Sequence, residues 1–276
     1  MRDVPLALND RGLAYGDGLF ETVLVRDGHP RLWAEHLARL TDGCRRLGMT
    51  PPAREGLESI FADCGSGLAV VKIVVTRGEG GRGYRPPEHA EMQWRWSVAP
   101  FSPARERLST GICVRLCQLQ LGIQPALAGL KHMARLENVM ARREWRDESI
   151  AEGLLCDSDG YLVEATAMNL LWRRGGVLET PALDRCGVAG TLLAALDAHL
   201  PIRRVRLVPD ELARAEAVWV LNSVQGVWPI HTLLDADAGR LAQWEVPPED
   251  DVRRLATALL DPVVEEGDRP FMPPNV

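Results

Sequence analysis

Lysine is nearly missing from this chain: of 32 basic residues only Lys72 and Lys131 are lysines, and the other 30 are arginines. A bias toward arginine thins out lysine wherever any positive charge serves. A lysine that persists is therefore a candidate for what a guanidinium does not do, which is to lose its proton and act as an amine. Chance retention is the alternative, and the surroundings of each lysine decide between the two. Long apolar runs are also missing, which excludes a membrane-spanning helix. The first residues lack a basic stretch followed by an apolar one, so no signal peptide is expected. The six cysteines have no paired metal-site spacing, and a chain of this size needs no disulfide staples. Cys113 and Cys117 fall on one face of an expected strand and read as core filling. A reduced, cytoplasmic protein is expected. The net charge is −6 and the basic residues are scattered, so nucleic-acid binding has no electrostatic footprint. There are no internal repeats and no low-complexity tracts.

What is present is ordinary globular material, 46% hydrophobic and 25% charged, long enough for one large domain or two modest ones. Residues 20–26 alternate and are rich in β-branched side chains, Asp27-Gly28 is a hairpin signal, and residues 29–33 are the expected return strand. Leu37, Leu40, Cys44 and Leu47 recur at helical spacing over 34–47, with Gly48 ending the helix. A second helix is expected at about 53–64, and strands at 67–76 and 92–99. A polar stretch at 101–109 has no apolar period and places the domain boundary: 1–105 a small N-terminal domain, 106–111 a linker, 112–276 a C-terminal domain. Beyond it the pattern predicts a strand at 111–119 and a helix at 133–145 with Met133, Leu136 and Met140 on its apolar stripe. Short strands follow at 153–156, 161–164, 168–172 and 177–180, then a helix at about 190–200, strands near 204–207 and 217–222, and a helix at 248–260 before a proline-rich tail. The class is α+β in two parts.

Four separated features converge on one chemistry. Ala128-Gly129-Leu130-Lys131-His132 lies where a strand-and-turn region hands over to a helix, and Glu164 follows three strand residues before a turn of small residues. His36 and Arg39 lie within one helical turn. Gly187-Val188-Ala189-Gly190-Thr191-Leu192 is a loop opening onto a helix N-terminus, whose free amides suit a phosphate. An amine, a carboxylate, an arginine and a phosphate-ready helix end are what pyridoxal 5'-phosphate requires. With Tyr15-Gly16-Asp17-Gly18-Leu19-Phe20-Glu21 ahead of them, these motifs stand in the order found in fold-type IV pyridoxal-phosphate enzymes, the class IV aminotransferase family. The chain resembles that family over residues 9–229. The resemblance implies a two-domain fold like that of D-amino-acid aminotransferase, with a small N-terminal α/β domain and a larger C-terminal pseudo-barrel. It implies Lys131 as the lysine joined to the cofactor and Glu164 as partner of the pyridine nitrogen. Arg39 and the amides of Thr191 and Leu192 would hold the phosphate, with a hydroxyl added by Ser223. Asn169 is read as a structural turn residue, and His36 and His132 as structural.

Thr76-Arg77-Gly78-Glu79-Gly80-Gly81-Arg82-Gly83-Tyr84 bears on the branch of the family. Residues 78–83 satisfy a dinucleotide-binding glycine pattern, which requires a helix immediately afterwards, and Tyr84-Arg85-Pro86-Pro87 denies one. The segment instead resembles the glycine-rich loop of the aminodeoxychorismate lyase branch, as does the run from Lys131 to Glu137. That resemblance implies Arg82 and Tyr84 facing a small substrate with two carboxylates, although Arg82 also reads as a mobile loop charge. Lys72, flanked by Val70 and Val74 on one strand face, sits either at a pocket wall or snorkels at an edge. The implied reaction converts 4-amino-4-deoxychorismate to 4-aminobenzoate and pyruvate, a step toward folate, with substrate supplied by aminodeoxychorismate synthase. A homodimer is implied, with no nucleic-acid, membrane or metal partner. The rivals are an aminotransferase of D-amino or branched-chain amino acids, and a non-catalytic relative that only carries the cofactor.

Overall fold

The computed structural model describes residues 5–261; the proline-rich tail lies outside the described residues. Helix α1 (Arg11–Tyr15) is capped by the Asp10 carboxylate, which accepts from the amides of Gly12 and Leu13. Strand β1 (Gly18–Arg26) turns through Asp27 and Gly28, both at positive φ as a two-residue hairpin requires, into β2 (His29–Pro30). The return strand expected through residue 33 stops short. Leu32 takes φ 51°, and the chain enters α2 (Trp33–Arg46) directly. The helix expected at 53–64 is divided into α3 (Arg54–Glu58) and a 3-10 segment, Ser59–Cys64. Strands β3 (Leu68–Thr76) and β4 (Gln93–Pro100) complete an antiparallel sheet in the order β2-β1-β3-β4. Its period-2 pattern sends Leu19, Val23, Val71 and Ile73 into one core against Leu40 and Cys44 of α2. Phe20 and Thr22 stand on the opposite face, where Lys72 is paired with Thr22. No helix follows residues 78–83 until α4 (Arg105–Thr110), so the dinucleotide reading is excluded.

The second half is built on β5 (Ile112–Leu121), α5 (Leu136–Arg142), β6 (Ile150–Asp157), β7 (Leu162–Ala165), β8 (Asn169–Arg174), β9 (Val177–Pro181), α6 (Thr191–Asp197), β10 (Ile202–Val205), α7 (Pro209–Leu212), β11 (Ala217–Asn222), β12 (Gly226–Leu234), β13 (Arg240–Gln243) and α8 (Asp251–Leu260). Nine strands form one mixed sheet in the order β10-β9-β8-β11-β12-β5-β6-β7, with β13 on β12. This is the larger half-barrel unit expected beside the small sheet. Strands β8 and β11 are buried on both faces: Leu170, Trp172, Val218 and Val220 enter one core, Leu171, Trp219 and Leu221 another beneath α6 and α8. That is why they read as continuous apolar runs rather than alternating ones. All six cysteines are free, with Cys117 buried and Cys113 half-buried on β5.

The helix expected at 133–145 is shorter, and its apolar stripe is not a core stripe. Leu136 is 71% exposed and Met140 44%. Met133 lies at a bend ahead of the helix, its amide donating to the Gly18 carbonyl at 3.0 Å. Among the described residues no helix is long and apolar enough to cross a membrane.

Candidate active site

Between the two sheets lies a cavity of about 390 Å³. Into it open Phe20 and Thr22 from β1, Arg39 from α2, Lys131 and Arg135 from the segment before α5, Asn138 from α5, Glu164 from β7, and Thr191 at the start of α6. The turn between β11 and β12 closes it with Ser223 and Gln225. Lys131, Arg39, Glu164, Thr191 and Ser223, far apart in sequence, are thus brought to one cavity.

Lys131 Nζ lies 4.4 Å from the centre of the Phe20 ring. Burial, reinforced by the positive charge of Arg39 and then of Arg135, pushes its pKa down to about 8, while Glu21 and Glu164 oppose the shift. About a tenth of the amine is therefore free at pH 7, several hundred times more than for an ordinary lysine, which favours an amine nucleophile. Lys72 reaches the same ring from outside, 5.6 Å away, but is exposed and does not line the cavity.

Arg39 is held by Glu21, a carboxylate on the core side of β1. Its Nε donates to Glu21 Oε1 at 2.8 Å, its Nη2 to Oε2, and its Nη1 to the Ala189 carbonyl at 2.8 Å. His36 Nδ1 completes the cluster, 2.6 Å from Glu21 Oε2. Burial alone would raise the Glu21 pKa, but the Arg39 charge and hydrogen bonds, with His36, hold it at about 2. Three of the five guanidinium N–H bonds are accounted for by this arrangement, which leaves two for a ligand.

Helix α6 is preceded by Gly190, which offers no side-chain cap. The first amides of a helix have no intrahelical acceptor, so those of Thr191 and Leu192 are free to bind an anion. The Leu192 side chain is wholly buried beneath them. A Cβ at Gly190 would sit 1.7 Å from Asn169 Oδ1, so only glycine permits this approach. Asn169 Nδ2 donates to the Val188 carbonyl at 2.8 Å, and the residue also lines the cavity.

Glu164 accepts from the Val188 amide at 2.8 Å and from Asn138 Nδ2 at 3.4 Å. Burial raises its pKa, against the opposing charge of Arg135 and these hydrogen bonds. Behind it Glu152, also raised by burial, accepts from the amide and hydroxyl of Thr166 at 2.9 and 2.8 Å and fixes the small-residue turn. His132 opens on a neighbouring cleft rather than this cavity, and burial followed by the Arg135 charge pushes it down to about 4.

Arg82 and Tyr84 lie on an exposed loop outside the cavity of their own chain. The Tyr84 ring meets Tyr15 edge-on at 5.4 Å, and Arg11 holds the loop by the carbonyls of Gly83 and Tyr84 at 3.2 and 2.9 Å. Arg11 is in turn paired with Asp17, which Arg77 also holds, each at 2.8 Å. Thr22, Arg135, Asn138, Gln225 and the anchoring role of Glu21 escaped the sequence reading. Glu21 carried a signal, a lone carboxylate on the face of β1 that otherwise bears Leu19, Val23 and Val25.

A model of the amino-transferase class IV family matches residues 18–233. An aminodeoxychorismate lyase from Vibrio harveyi is 31% identical over 235 residues, 81% of this chain and 85% of that protein. The crystal structure of 4-amino-4-deoxychorismate lyase from Pseudomonas aeruginosa superposes with a TM-score of 0.83 at 42% identity, covering 94% of this chain and 96% of that one. A fold IV-transaminase from Curtobacterium pusillum superposes at 0.73 with 29% identity, over 93% and 89% of the two chains.

Proposed function

The chain belongs to the amino-transferase class IV family, and from that premise we propose that it is a pyridoxal-phosphate-dependent lyase converting 4-amino-4-deoxychorismate to 4-aminobenzoate and pyruvate. The observation that carries this reading is the 42% identity to a lyase of that specificity over 94% of the chain, joined to the cavity at Lys131. The cavity fits the cofactor at both ends. At one end are an anchored arginine with spare donors, the uncapped amides of Thr191 and Leu192, and the Ser223 hydroxyl, a set suited to a phosphate. At the other is a buried carboxylate, Glu164, which would hold a protonated pyridine nitrogen.

When bound, the cofactor would supply an electrophilic aldehyde for the substrate amine and a protonated ring as electron sink. Glu164 would keep the proton on that ring nitrogen. Lys131 Nζ removes the proton from the amine-bearing carbon of the substrate and returns one to the departing enolpyruvyl group, which its lowered pKa permits. Two substrate carboxylates call for cations beyond those holding the phosphate. Arg82, with Tyr84, supplies one, and since that loop stands outside its own cavity it serves the site of a second copy in a homodimer. Lys72, 5.6 Å from the centre of the same Phe20 ring, supplies further positive charge for the substrate. The enzyme works in the cytoplasm on substrate made by aminodeoxychorismate synthase.

Release of 4-aminobenzoate and pyruvate by the purified protein tests the reading. The family similarity to a transaminase favours one rival, an aminotransferase. Amino-group transfer from D-alanine or a branched-chain amino acid to a keto acid, without 4-aminobenzoate release, would establish it instead.

A further inference from the structure

We propose that Arg135 is a positioning residue for Lys131: its guanidinium bridges the carbonyls on either side of the lysine and fixes the peptide from which the amine projects. Its Nη2 donates to the Leu130 carbonyl at 2.6 Å and its Nε to the His132 carbonyl at 3.0 Å. The carbonyl between them, that of Lys131 itself, accepts from the Phe20 amide at 3.0 Å. On the far side the Met133 amide donates to the Gly18 carbonyl, also at 3.0 Å, and the Leu130 side chain is buried in the core of the small sheet. Three consecutive carbonyls are thus held, two by one planar group and one by β1. A guanidinium presents its donors in a rigid fork, so both bonds form only at one spacing of the two carbonyls. An ammonium on a flexible stem imposes no such spacing.

The same side chain opens on the cavity with Lys131 and Glu164, so it acts by charge as well. The charged groups facing Lys131 are Glu21 on β1, Arg39 on α2, Glu164 on β7 and Arg135 itself. Removing Arg135 takes away one of the two cations that lower the proton affinity of the amine, and the midpoint for its protonation rises above about 8. Charge and bracing are therefore separable. Lysine at position 135 keeps the first and loses the second, whereas glutamine loses both.

The proposal rests on Lys131 as the cofactor lysine, and apoprotein measurements separate its failure from failure of that reading. Two rates are followed at Lys131 by peptide mass, with Lys72 as internal reference: trace acetylation across pH, and capture of pyridoxal phosphate by borohydride. Acetylation reads only how much amine is free; capture also requires the amine to be aimed. In Arg135→Gln the acetylation midpoint moves upward. At a pH where the amine is fully free, capture falls about ten-fold or more while acetylation stays as in the wild type. Arg135→Lys restores the midpoint but not the capture rate. Capture at the wild-type rate in Arg135→Gln, or its full recovery in Arg135→Lys, overturns the bracing. Should Arg135→Gln not fold, the lysine variant decides alone by the same capture rate. No capture at Lys131 in the wild-type protein overturns the proposed function itself.

Discussion

Replacing Lys131 by methionine should stabilise the cofactor-free protein, although it destroys the site. The amine is pushed from its ordinary 10.5 down to about 8, and each tenfold change in proton affinity corresponds to about 1.4 kcal/mol. Keeping an ammonium in this cavity therefore costs the folded state about 3 kcal/mol, an upper figure because water reaches part of the side chain. Methionine is unbranched and close in length, so the stem keeps its packing on Phe20. What is lost is the cation's contact with the ring at 4.4 Å, worth about 0.5–1 kcal/mol. The net gain expected at pH 7 is about 2 kcal/mol. Its sign with pH follows from linkage. Between about 8 and 10.5 the unfolded chain binds more protons at Lys131 than the folded one, so wild-type stability rises there and the variant's advantage shrinks. Urea unfolding of both apoproteins from pH 7 to 10 measures the difference, in which groups common to both cancel. Equal stability at pH 7, or a gap that does not close as pH rises, would refute the reasoning.

Glu21 gives the opposite signature. Its carboxyl is held at about 2 against an ordinary 4.5, so about 3 kcal/mol of stability is present above pH 4.5 and lost as pH falls toward 2. In Glu21→Gln that acid-limb loss should disappear from urea titrations, and phosphate-dependent cofactor affinity should drop as Arg39 loses its anchor. Glu164→Gln should retain cofactor within a few-fold by absorbance titration, while kcat for 4-aminobenzoate release falls about a hundred-fold or more. Arg82→Ala should raise KM for the substrate about ten-fold or more, one charge-assisted hydrogen bond, with cofactor affinity unchanged; unaltered kinetics would remove Arg82 from the site.

The elements that position the site were legible wherever one periodicity ruled. Phe20 and Thr22 alternate with buried Leu19, Glu21 and Val23 along β1, and the buried Leu40 and Cys44 mark the inner face of α2. Tertiary pairing defeated the pattern elsewhere. Residues 133–135 read as the start of a helix by their apolar spacing, but the Met133 amide is bonded to the Gly18 carbonyl and the preceding Lys131 carbonyl to the Phe20 amide, which holds the segment against β1 and overrides local propensity. Strand β12 was missed altogether, and Pro229 disguises it as an edge or a turn. It pairs with Trp219 of β11, and the pairing with β5 begins only at Ile230, so no ladder bond to β5 is needed at the proline. The Glu21–Arg39 anchor joins a strand to a helix, and the Arg135 fork joins a side chain to carbonyls three and five residues before it. No spacing rule announces either contact.

The presence of only two lysines makes the decisive measurement simple. Borohydride reduction of the protein loaded with pyridoxal phosphate, followed by peptide mass mapping, should place the added mass on Lys131 alone. A label on Lys72, or none on either lysine, would contradict the account.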